Sequence, residues 1–329
     1  RIDVILPEWF EITGPSLAVS RLEVDAETQS VLASIRSERR GATELWPVFN
    51  LGGTLTAEAF LLGLNDVKRR SDLVDRVVRT ASGIQADGAC LRLQGVKAKG
   101  ADILVPFVAE LESKAHEAGL ELCLVASLSD QQWSIQALVA HVDKVIVTTY
   151  QDPWLGSHPQ PLAPLDWFRK QVVQIQRDVP AAKLVIAVGG HAVDWVSGQA
   201  VPDRISVAEA MFRISQANGS IDFSPAAKNS YSSFFDREGN RHQIWMLDAA
   251  SVHNNLRVLQ DLGIPEVAVA SLGEEEPAFW DALGGHLLAG EFRSLGVPEF
   301  PDNVVFTGAG PFYRLREAGH PGLRLWRLD

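Results

Sequence analysis

A regular alternation of short apolar runs with longer amphipathic stretches constrains the fold of this chain more than any other feature. Several of the runs are rich in Val, Ile and Leu and show little alternation, which is typical of strands covered on both faces. Amphipathic stretches between such strands indicate parallel βα units. The eight strand candidates are Ile2–Leu6, Leu45–Asn50, Ala89–Leu93, Leu120–Leu128, Lys144–Tyr150, Lys183–Val188, Gln243–Leu247 and Val267–Leu272.

Eight strands in βα order predict a closed (β/α)8 TIM barrel of the α/β class, which typically needs about 250 residues. The chain has 329 residues, so additions to the barrel are expected. Turn-forming residues at 236–240, between apolar runs, predict a β-hairpin inserted before the seventh strand. We therefore predict a barrel over residues 1–282 and a small C-terminal β appendage, or a linker to a following module, over residues 283–329.

Helix termini carry their own signals. Ser71 and Ser206 are predicted N-caps, and Glu209 stands three residues after Ser206, the spacing of a capping box. Gly263 is predicted to end a helix that begins near Ala249. Because the chain begins at Arg1 inside a strand-like run, we expect it to be a piece of a longer protein.

Charge and cysteine content exclude several function classes. The net charge is −11 and the basic residues are scattered, so the basic patch that nucleic-acid binding requires is absent. No apolar run approaches the length of about 18 residues that a membrane helix needs, and no signal peptide is visible. Cys90 and Cys123 have neither metal-ligand nor disulfide-framework spacing. We expect two free core thiols, and no metal or cofactor.

Chemistry in a barrel of this type is located at the carboxyl ends of the strands. Trp9 and Trp195 are interpreted either as stacking platforms for a ring-shaped ligand or as packing residues. The acidic run Glu274–Glu276 is interpreted as a solvated turn and not as a metal site. The candidate ligand-binding residues at the strand ends are Glu8, Trp9, Asn50, Arg92, Gln94, Tyr150, Asp152, His191 and Asp248.

Five segments of the chain have a recognisable motif each and follow one another in a fixed order: Asp87–Gln94, Asp143–Asp152, Lys183–Trp195, Gln243–Ser251 and Val267–Trp280. Taken together, they resemble the family 18 glycoside hydrolases. The segment that ends in Gln94 stands at the place of the family's third-strand signature, DGxxxDxE. The resemblance covers nearly the whole of residues 1–282. It is strongest to the barrel domain of bacterial proteins that also carry a polysaccharide deacetylase and a family 2 glycosyltransferase.

The resemblance implies a substrate-assisted mechanism, in which the N-acetyl group of the substrate attacks the anomeric carbon. In the family one Glu protonates the leaving oxygen, while an Asp and a Tyr hold the acetamide. Here Gln94 stands at the Glu position and Arg92 at the Asp position, whereas Tyr150 is retained. An amide is no proton donor, and a permanent cation opposes developing positive charge. Further departures from the family pattern are Gln151, His191, Val193 and Ala270.

These departures predict a pseudoenzyme: a glycan-binding or scaffolding barrel, without hydrolysis, in a polysaccharide synthesis or modification protein. The alternative is an active glycoside hydrolase that uses a relocated carboxylate such as Glu8 or Asp152. Arg92 is interpreted either as an inert remnant paired with Glu8 or Asp248, or as a cation that binds the carboxylate of an acidic sugar.

The expected ligand is an oligo- or polysaccharide and not a nucleic acid. The resemblance further implies covalently linked deacetylase and glycosyltransferase modules, a membrane-anchored parent protein, and an extracytoplasmic location.

Overall fold

The structure is a computed structural model that describes residues 2–22, 43–93, 95–96, 100–127, 135–151, 153, 157–270, 273–283, 303–304 and 324–328. The strands in these residues are β1 (Val4–Leu6), β2 (Phe10–Thr13), β3 (Ala18–Arg21), β4 (Glu44–Leu45), β5 (Val48–Leu51), β6 (Gly88–Arg92), β7 (Glu121–Ser127), β8 (Lys144–Thr148), β9 (Leu184–Gly189), β10 (His191–Val196), β11 (Asp203–Ser206), β12 (Ile221–Ser224), β13 (Asn229–Phe235), β14 (Arg241–Met246), β15 (Glu266–Ala270), β16 (Asn303–Val304) and β17 (Arg324–Leu328). The helices are α1 (Ala57–Leu64), α2 (Val67–Gly83), α3 (Ala101–Glu117), α4 (Ile135–Leu138), α5 (Leu165–Ile175), α6 (Val207–Gln216), α7 (Ala249–Asp261) and α8 (Pro277–Leu283).

The parallel strands of the described residues close into a ring of eight. β1 and β2 are two halves of one extended run, and so are β4 and β5. Their pairing continues across the interruptions, because Trp46 N donates to Ile5 O and Val48 N donates to Pro7 O, each over 2.8 Å. The ladder then passes through β6, β7, β8, β9, β15 and β17. Because β17 pairs in parallel with β1, the predicted (β/α)8 barrel is confirmed.

Side chains on the two faces of the barrel strands enter separate hydrophobic clusters. Alternate residues point inward, so Val48 and Val125 lie in the barrel interior. Leu91 and Leu124 point outward and pack with Phe107 and other helix residues in the layer between strands and helices. This two-sided burial explains why the strand runs show so little alternation in the sequence.

Cys90 and Cys123 form a disulfide inside the barrel. They lie directly opposite each other on β6 and β7, and both are fully buried. The expectation of two free thiols is therefore wrong. Their separation of 33 residues carries no disulfide signature, because parallel strand pairing, and not spacing along the chain, brings the two sulfur atoms together.

The predicted β-hairpin is formed by β13 and β14, and it is part of a second, antiparallel sheet with the strand order β11-β10-β14-β13-β12-β16. It begins where β9 ends, at the carboxyl edge of the barrel. One face of this sheet packs against α6 through Ala192, Ile214 and Met246. The opposite face carries Val193 and Trp195, which join the interior cluster of the barrel. The second sheet therefore turns one face toward the barrel mouth and the other toward α6.

Two strand assignments differ from the sequence prediction. Gln243–Leu247 is not a barrel strand, since β14 pairs antiparallel with β10 and β13 in the second sheet. The eighth barrel strand is β17, which lies between β15 and β1. The predicted C-terminal appendage thus contributes a strand to the barrel and, through β16, a strand to the second sheet. The domain boundary at residue 282 stays a prediction.

The other seven predicted strands are confirmed to within two residues at each end. Ser206 caps α6 as predicted, accepting a hydrogen bond from Glu209 N. The predicted cap at Ser71 is wrong, because Asp66 caps α2 and Ser71 lies within that helix. Gly263 follows α7 with a positive φ of 68°. In the described residues no helix is long and apolar enough to cross a membrane.

Candidate functional site

Three polar side chains from the first three barrel strands meet at the mouth. Glu8 lies between β1 and β2, Asn50 lies on β5, and Arg92 is the last residue of β6. Arg92 forms an ion pair with one carboxylate oxygen of Glu8, and Asn50 Nδ2 donates to the other oxygen over 3.1 Å. The side chains of Arg92 and Glu8 are 19 % and 32 % exposed. The pairing of Arg92 with Glu8, one of the two predicted partners, is therefore present.

This arrangement assigns Glu8 the role of an acceptor. Both of its oxygens receive hydrogen bonds from donors, as expected of an ionised carboxylate. The positive charge of Arg92 is compensated locally, so the mouth presents an ion pair and not a lone cation. The other amide atom of Asn50, Oδ1, is buried and has no hydrogen-bond partner in the described part of the chain.

Tyr150 and His191 form the opposite side of the mouth. The His191 ring meets the Tyr150 ring edge-on, with centroids 4.9 Å apart. The Arg204 guanidinium lies 5.8 Å from the centroid of the Tyr150 ring and is itself held by a bidentate contact with Glu274, at 2.8 to 3.2 Å. Burial, and then the charge of Arg204, hold the pKa of His191 well below its usual range. His191 is therefore a neutral packing partner of Tyr150 and not a cation.

Asp248 and Glu276 are a pair of buried carboxyl groups at the N-terminus of α7. Asp248 caps the helix by accepting from Ser251 N over 3.0 Å. Glu276 is only 4 % exposed and accepts from Ala249 N over 2.9 Å. Burial and the nearby charge of Asp248 raise the pKa of Glu276 to about 8, against the opposing effect of the Ala249 hydrogen bond. Burial beside a second carboxyl group therefore favours the neutral, protonated form of Glu276.

The interpretation of Glu274–Glu276 as a solvated turn is wrong. Glu274 binds Arg204 of the second sheet, and Glu275 accepts from Trp280 Nε1 over 3.0 Å. Glu276 is buried against α7. Each carboxyl group thus ties the loop after β15 to a different element. The sequence alone could not distinguish the environments of the three carboxyl groups, since three adjacent Glu residues have the pattern of a solvated surface.

Of the remaining predicted residues, Trp9 and Trp195 lie in the described part of the chain, whereas Gln94 and Asp152 do not. Trp9 packs against the cluster outside the barrel, and the Arg21 guanidinium lies 5.7 Å from its ring centroid, so it is held away from the barrel interior. Gln94 and Asp152 lie outside the described residues, and their assignment to the site stays a prediction. Trp195 is buried, and its Nε1 donates to Ser157 Oγ over 3.2 Å.

An aromatic pair on the mouth-facing side of the second sheet is not among the residues predicted from the sequence. Tyr231 and Trp245 are directly opposite on β13 and β14, and their rings stack with centroids 4.9 Å apart and planes 27° apart. Trp245 borders the barrel's interior cluster and is partly exposed. The signal that could have revealed the pair is the period of two that places Tyr231, Ser233 and Phe235 on one face of β13.

No protein-family model matches the chain. Among curated proteins, it is 22 % identical over 245 residues to the sporulation-specific glycosylase YdhD of Bacillus subtilis, covering 71 % of this chain and 58 % of that protein. It is 24 % identical over 267 residues to the cortical fragment-lytic enzyme of the same organism, covering 76 % of this chain and 62 % of that protein. The chain thus spans about three fifths of the length of these relatives.

Superposition on solved structures identifies the fold. The chitinase of Chromobacterium violaceum superposes with a TM-score of 0.76 at 18 % identity, covering 86 % of this chain and 90 % of that chain. A Glu-to-Gln mutant of the class V chitinase of Nicotiana tobaccum, in complex with NAG4, superposes with a TM-score of 0.67 at 16 % identity, covering 85 % and 90 %. This chain therefore has the fold of the chitinase-like family 18 barrels.

Proposed function

We propose that this chain, whose fold is that of the family 18-like chitinases, is a glycan-binding barrel that does not hydrolyse its ligand. The observation that carries the proposal is the ion pair between Glu8 and Arg92 at the end of the third barrel strand. In the motif that the segment resembles, this strand end supplies an Asp and a Glu. Here the carboxylate is that of Glu8, at the end of the first strand, and it forms an ion pair with the guanidinium of Arg92.

The chemistry of the strand end argues against hydrolysis. General acid catalysis contributes about 10²–10⁴-fold to such reactions, and the amide of Gln94, at the acid position of the resembled motif, has no acidic proton to transfer. Both carboxylate oxygens of Glu8 already accept hydrogen bonds, one from Arg92 and the other from Asn50. Glu8 is therefore an acceptor and not a proton donor. Under the alternative hypothesis of an active hydrolase, Asp152 is the other candidate for the relocated catalytic carboxylate.

A neutral sugar fits the mouth better than an acidic one. An anionic ligand would have to displace Glu8 from Arg92, or Glu274 from Arg204. The outer faces of the stacked Tyr231–Trp245 pair suit the apolar face of a sugar ring. A carbohydrate ligand is supported by the structural neighbour in complex with NAG4 and by the glycosylase and cortical fragment-lytic names of the curated relatives.

Two measurements on the full chain test the proposal. In the first, N-acetylglucosamine oligomers and acidic bacterial glycans are incubated with the protein and examined by mass spectrometry beside an active chitinase. We expect intact oligomers throughout. Cleavage that disappears in Glu8→Gln would establish the relocated-carboxylate hydrolase and overturn the proposal.

The second measurement is binding by calorimetry. We expect the N-acetylated oligomer to bind, and Trp245→Ala to weaken that binding about tenfold through loss of one stacking contact. Leu62→Ala, an exposed apolar residue on α1, is the matched control and should bind like the parent. Preference for the acidic glycan, lost on Arg92→Gln, would contradict the neutral-ligand assignment.

We further infer an extracytoplasmic location in a membrane-anchored polysaccharide-handling protein with deacetylase and glycosyltransferase modules. Support for the location comes from the Cys90–Cys123 disulfide, since disulfides persist mainly in oxidising compartments. The linked modules rest on the sequence resemblance. Fractionation of cells with an antibody against this chain, together with the mass of the detected parent protein, tests both inferences. A soluble cytosolic species of the size of this chain alone would contradict them.

A further inference from the structure

The loop of residues 273–276, called the acid loop, joins the second sheet to α7 beside the barrel mouth. The carboxylate of Glu274 holds Arg204 of β11 at 2.8 to 3.2 Å. Glu276, at the other end of the loop, accepts from Ala249 N, the first residue of α7, over 2.9 Å. Because two residues separate these contacts, a movement of one end of the acid loop reaches the other.

The acid loop also packs directly on the backbone between β9 and β10. A Cβ added at Gly190 would lie 2.7 Å from the Cβ of Glu275, so a glycine at this position admits the loop. The main-chain oxygen of Glu274 accepts from Val207 N, at the start of α6, over 2.7 Å. The loop is therefore fixed to the second sheet by its main chain as well as by its side chains.

Two of these contacts lead to Tyr150 at the mouth. The Arg204 guanidinium that Glu274 holds lies 5.8 Å from the centroid of the Tyr150 ring. His191, the residue after Gly190, meets the same ring edge-on. Tyr150 is 8 % exposed, so the small part of the ring that a ligand can reach is set by these neighbours. A shift of the acid loop would therefore change what Tyr150 presents at the mouth.

Two buried carboxyl groups converge at the α7 end of the acid loop. Asp248 is fully buried and Glu276 is 4 % exposed. Asp248 accepts from Ser251 N and Glu276 accepts from Ala249 N, two donors in the first turn of α7. Two carboxylates in one buried site repel each other, and a proton on one of them removes the repulsion. Burial, and then the charge of Asp248, raise the pKa of Glu276 to about 8.

Other titratable groups around the acid loop belong to the second sheet, to the loop itself, to α7 and to α8. They are Arg204, His191, His253, Glu274, Glu275 and Asp281. Arg204 and Glu274 pair with each other, and Glu275 accepts from Trp280 Nε1. Both histidines are buried, whereas Asp281 is exposed. Within the described residues, the charge that raises the pKa of Glu276 is that of Asp248.

We propose that Glu276 is a positioning residue of the barrel mouth. With its proton it holds the acid loop on α7, and the acid loop in turn keeps Arg204 over Tyr150. Loss of the proton places a second negative charge beside Asp248. Because Asp248 is fixed as the N-cap of α7, Glu276 is the group that moves, and Glu274 moves with it. This role rests on the proposed glycan-binding function and adds its regulation by pH.

Glycan affinity should fall as the pH rises through about 8. The protonated form of Glu276 belongs to the binding arrangement, so the affinity is full below this pH and is lost above it. With a pKa of about 8, roughly nine tenths of the molecules carry this proton at pH 7 and roughly one tenth at pH 9. Because apparent affinity scales with the fraction of binding-competent molecules, the expected loss between pH 7 and pH 9 is about tenfold.

Calorimetry on the full chain at pH 7, 8 and 9 tests this expectation with the tetramer of N-acetylglucosamine, a neutral ligand. The parent should lose affinity about tenfold, whereas Glu276→Gln should bind equally at all three pH values, because an amide stays neutral. Glu238→Gln, which removes an exposed carboxyl group from the turn of the second sheet, is the matched control and should keep the pH profile of the parent. Equal profiles for the parent and Glu276→Gln would overturn the proposal.

Glu274→Gln is a second variant, at a partly exposed position. It weakens the hold on Arg204 and should therefore lower the affinity at pH 7 and flatten its dependence on pH. A tenfold loss between pH 7 and pH 9 that persists in this variant would show that the acid loop does not act through Glu274, and would overturn the proposal.

NMR spectra of the Tyr150 ring test the same coupling without a ligand. The chain has three tyrosines, and Tyr150→Phe identifies the Tyr150 signals in tyrosine-labelled protein. In the parent these signals should shift with a midpoint near pH 8, and in Glu276→Gln they should not. Signals that stay constant between pH 7 and pH 9 in the parent would overturn the proposal.

The two measurements also separate this proposal from the glycan-binding function. Absence of tetramer binding at pH 7, together with a Tyr150 midpoint near pH 8 that Glu276→Gln abolishes, would contradict glycan binding and support the positioning role. Tetramer binding at pH 7 that is equally strong at pH 9 would contradict the positioning role and support glycan binding.

Discussion

Replacing Glu276 with Gln should remove a pH-dependent destabilisation that the folded chain now carries. Glu276 is buried beside Asp248, and these two causes raise its pKa from 4.5 to about 8. A raised acid pKa means that the folded state holds the proton more tightly than the unfolded state does. The associated stability is fully present below pH 4.5 and is lost as the pH rises through about 8.

The magnitude follows from the two pKa values. Between pH 5 and pH 9 the loss amounts to about 4 kcal/mol, since each unit of difference in pKa corresponds to about 1.4 kcal/mol. A glutamine side chain at this position would stay neutral at every pH, and its amide oxygen can still accept the hydrogen bond that Ala249 N now donates to Glu276. The substituted chain should therefore match the parent near pH 5 and exceed its stability near pH 9.

Thermal unfolding at pH 5, 7 and 9 measures the effect. At about 2 °C per kcal/mol for a chain of this size, the difference in Tm at pH 9 should be about 8 °C, and near zero at pH 5. Glu238→Gln, which removes an exposed carboxyl group from the turn of the second sheet, is the charge-matched control, and as a surface substitution it should leave the Tm nearly unchanged. A constant difference in Tm between parent and Glu276→Gln at all three pH values would refute the reasoning.

Three further outcomes are expected. Replacing Cys90 and Cys123 together with Ala should lower the free energy of unfolding by about 4 kcal/mol, the loop-closure value for a 33-residue separation; an unchanged urea midpoint would contradict a structural role for the bond. Glu8→Gln should destabilise the chain by about 1 kcal/mol, as expected for a partly exposed pair with Arg92, again read from urea unfolding. The midpoint of the His191 ring titration in NMR spectra should lie well below the usual value of 6.5, because burial, and then the charge of Arg204, lower its pKa; a midpoint near 6.5 would contradict its burial.

Much of the barrel could be predicted from local pattern. Runs such as Leu120–Leu128 and Lys183–Val188 are apolar over a strand's length, and this reflects burial on both faces. Gln243–Leu247 has a similar composition, yet it pairs antiparallel in the second sheet. The period and composition of a strand indicate that it is buried, but they do not indicate which sheet buries it. The eighth barrel strand, Arg324–Leu328, was assigned to an appendage for the same reason.

In the candidate site, too, the residue types could be predicted from the sequence, whereas their contacts could not. The residue types at positions 92 and 94 were readable from the third-strand motif, and so was the expectation that Arg92 needs a carboxylate partner. The choice of Glu8 over Asp248 as that partner depends on how strands 1 and 3 sit around the ring. The aromatic pair of Tyr231 and Trp245 depends on the register of β13 against β14.

By itself, the sequence determined the class of fold, the positions of seven of the eight described barrel strands, and the identity of the groups at their carboxyl ends, because propensity and periodicity act over a few neighbouring residues. Tertiary structure alone decided that Cys90 meets Cys123, that Glu8 neutralises Arg92, and that Glu276 is buried beside Asp248. Those outcomes depend on distances between residues remote in the chain, and burial and charge interaction depend on such distances rather than on local sequence.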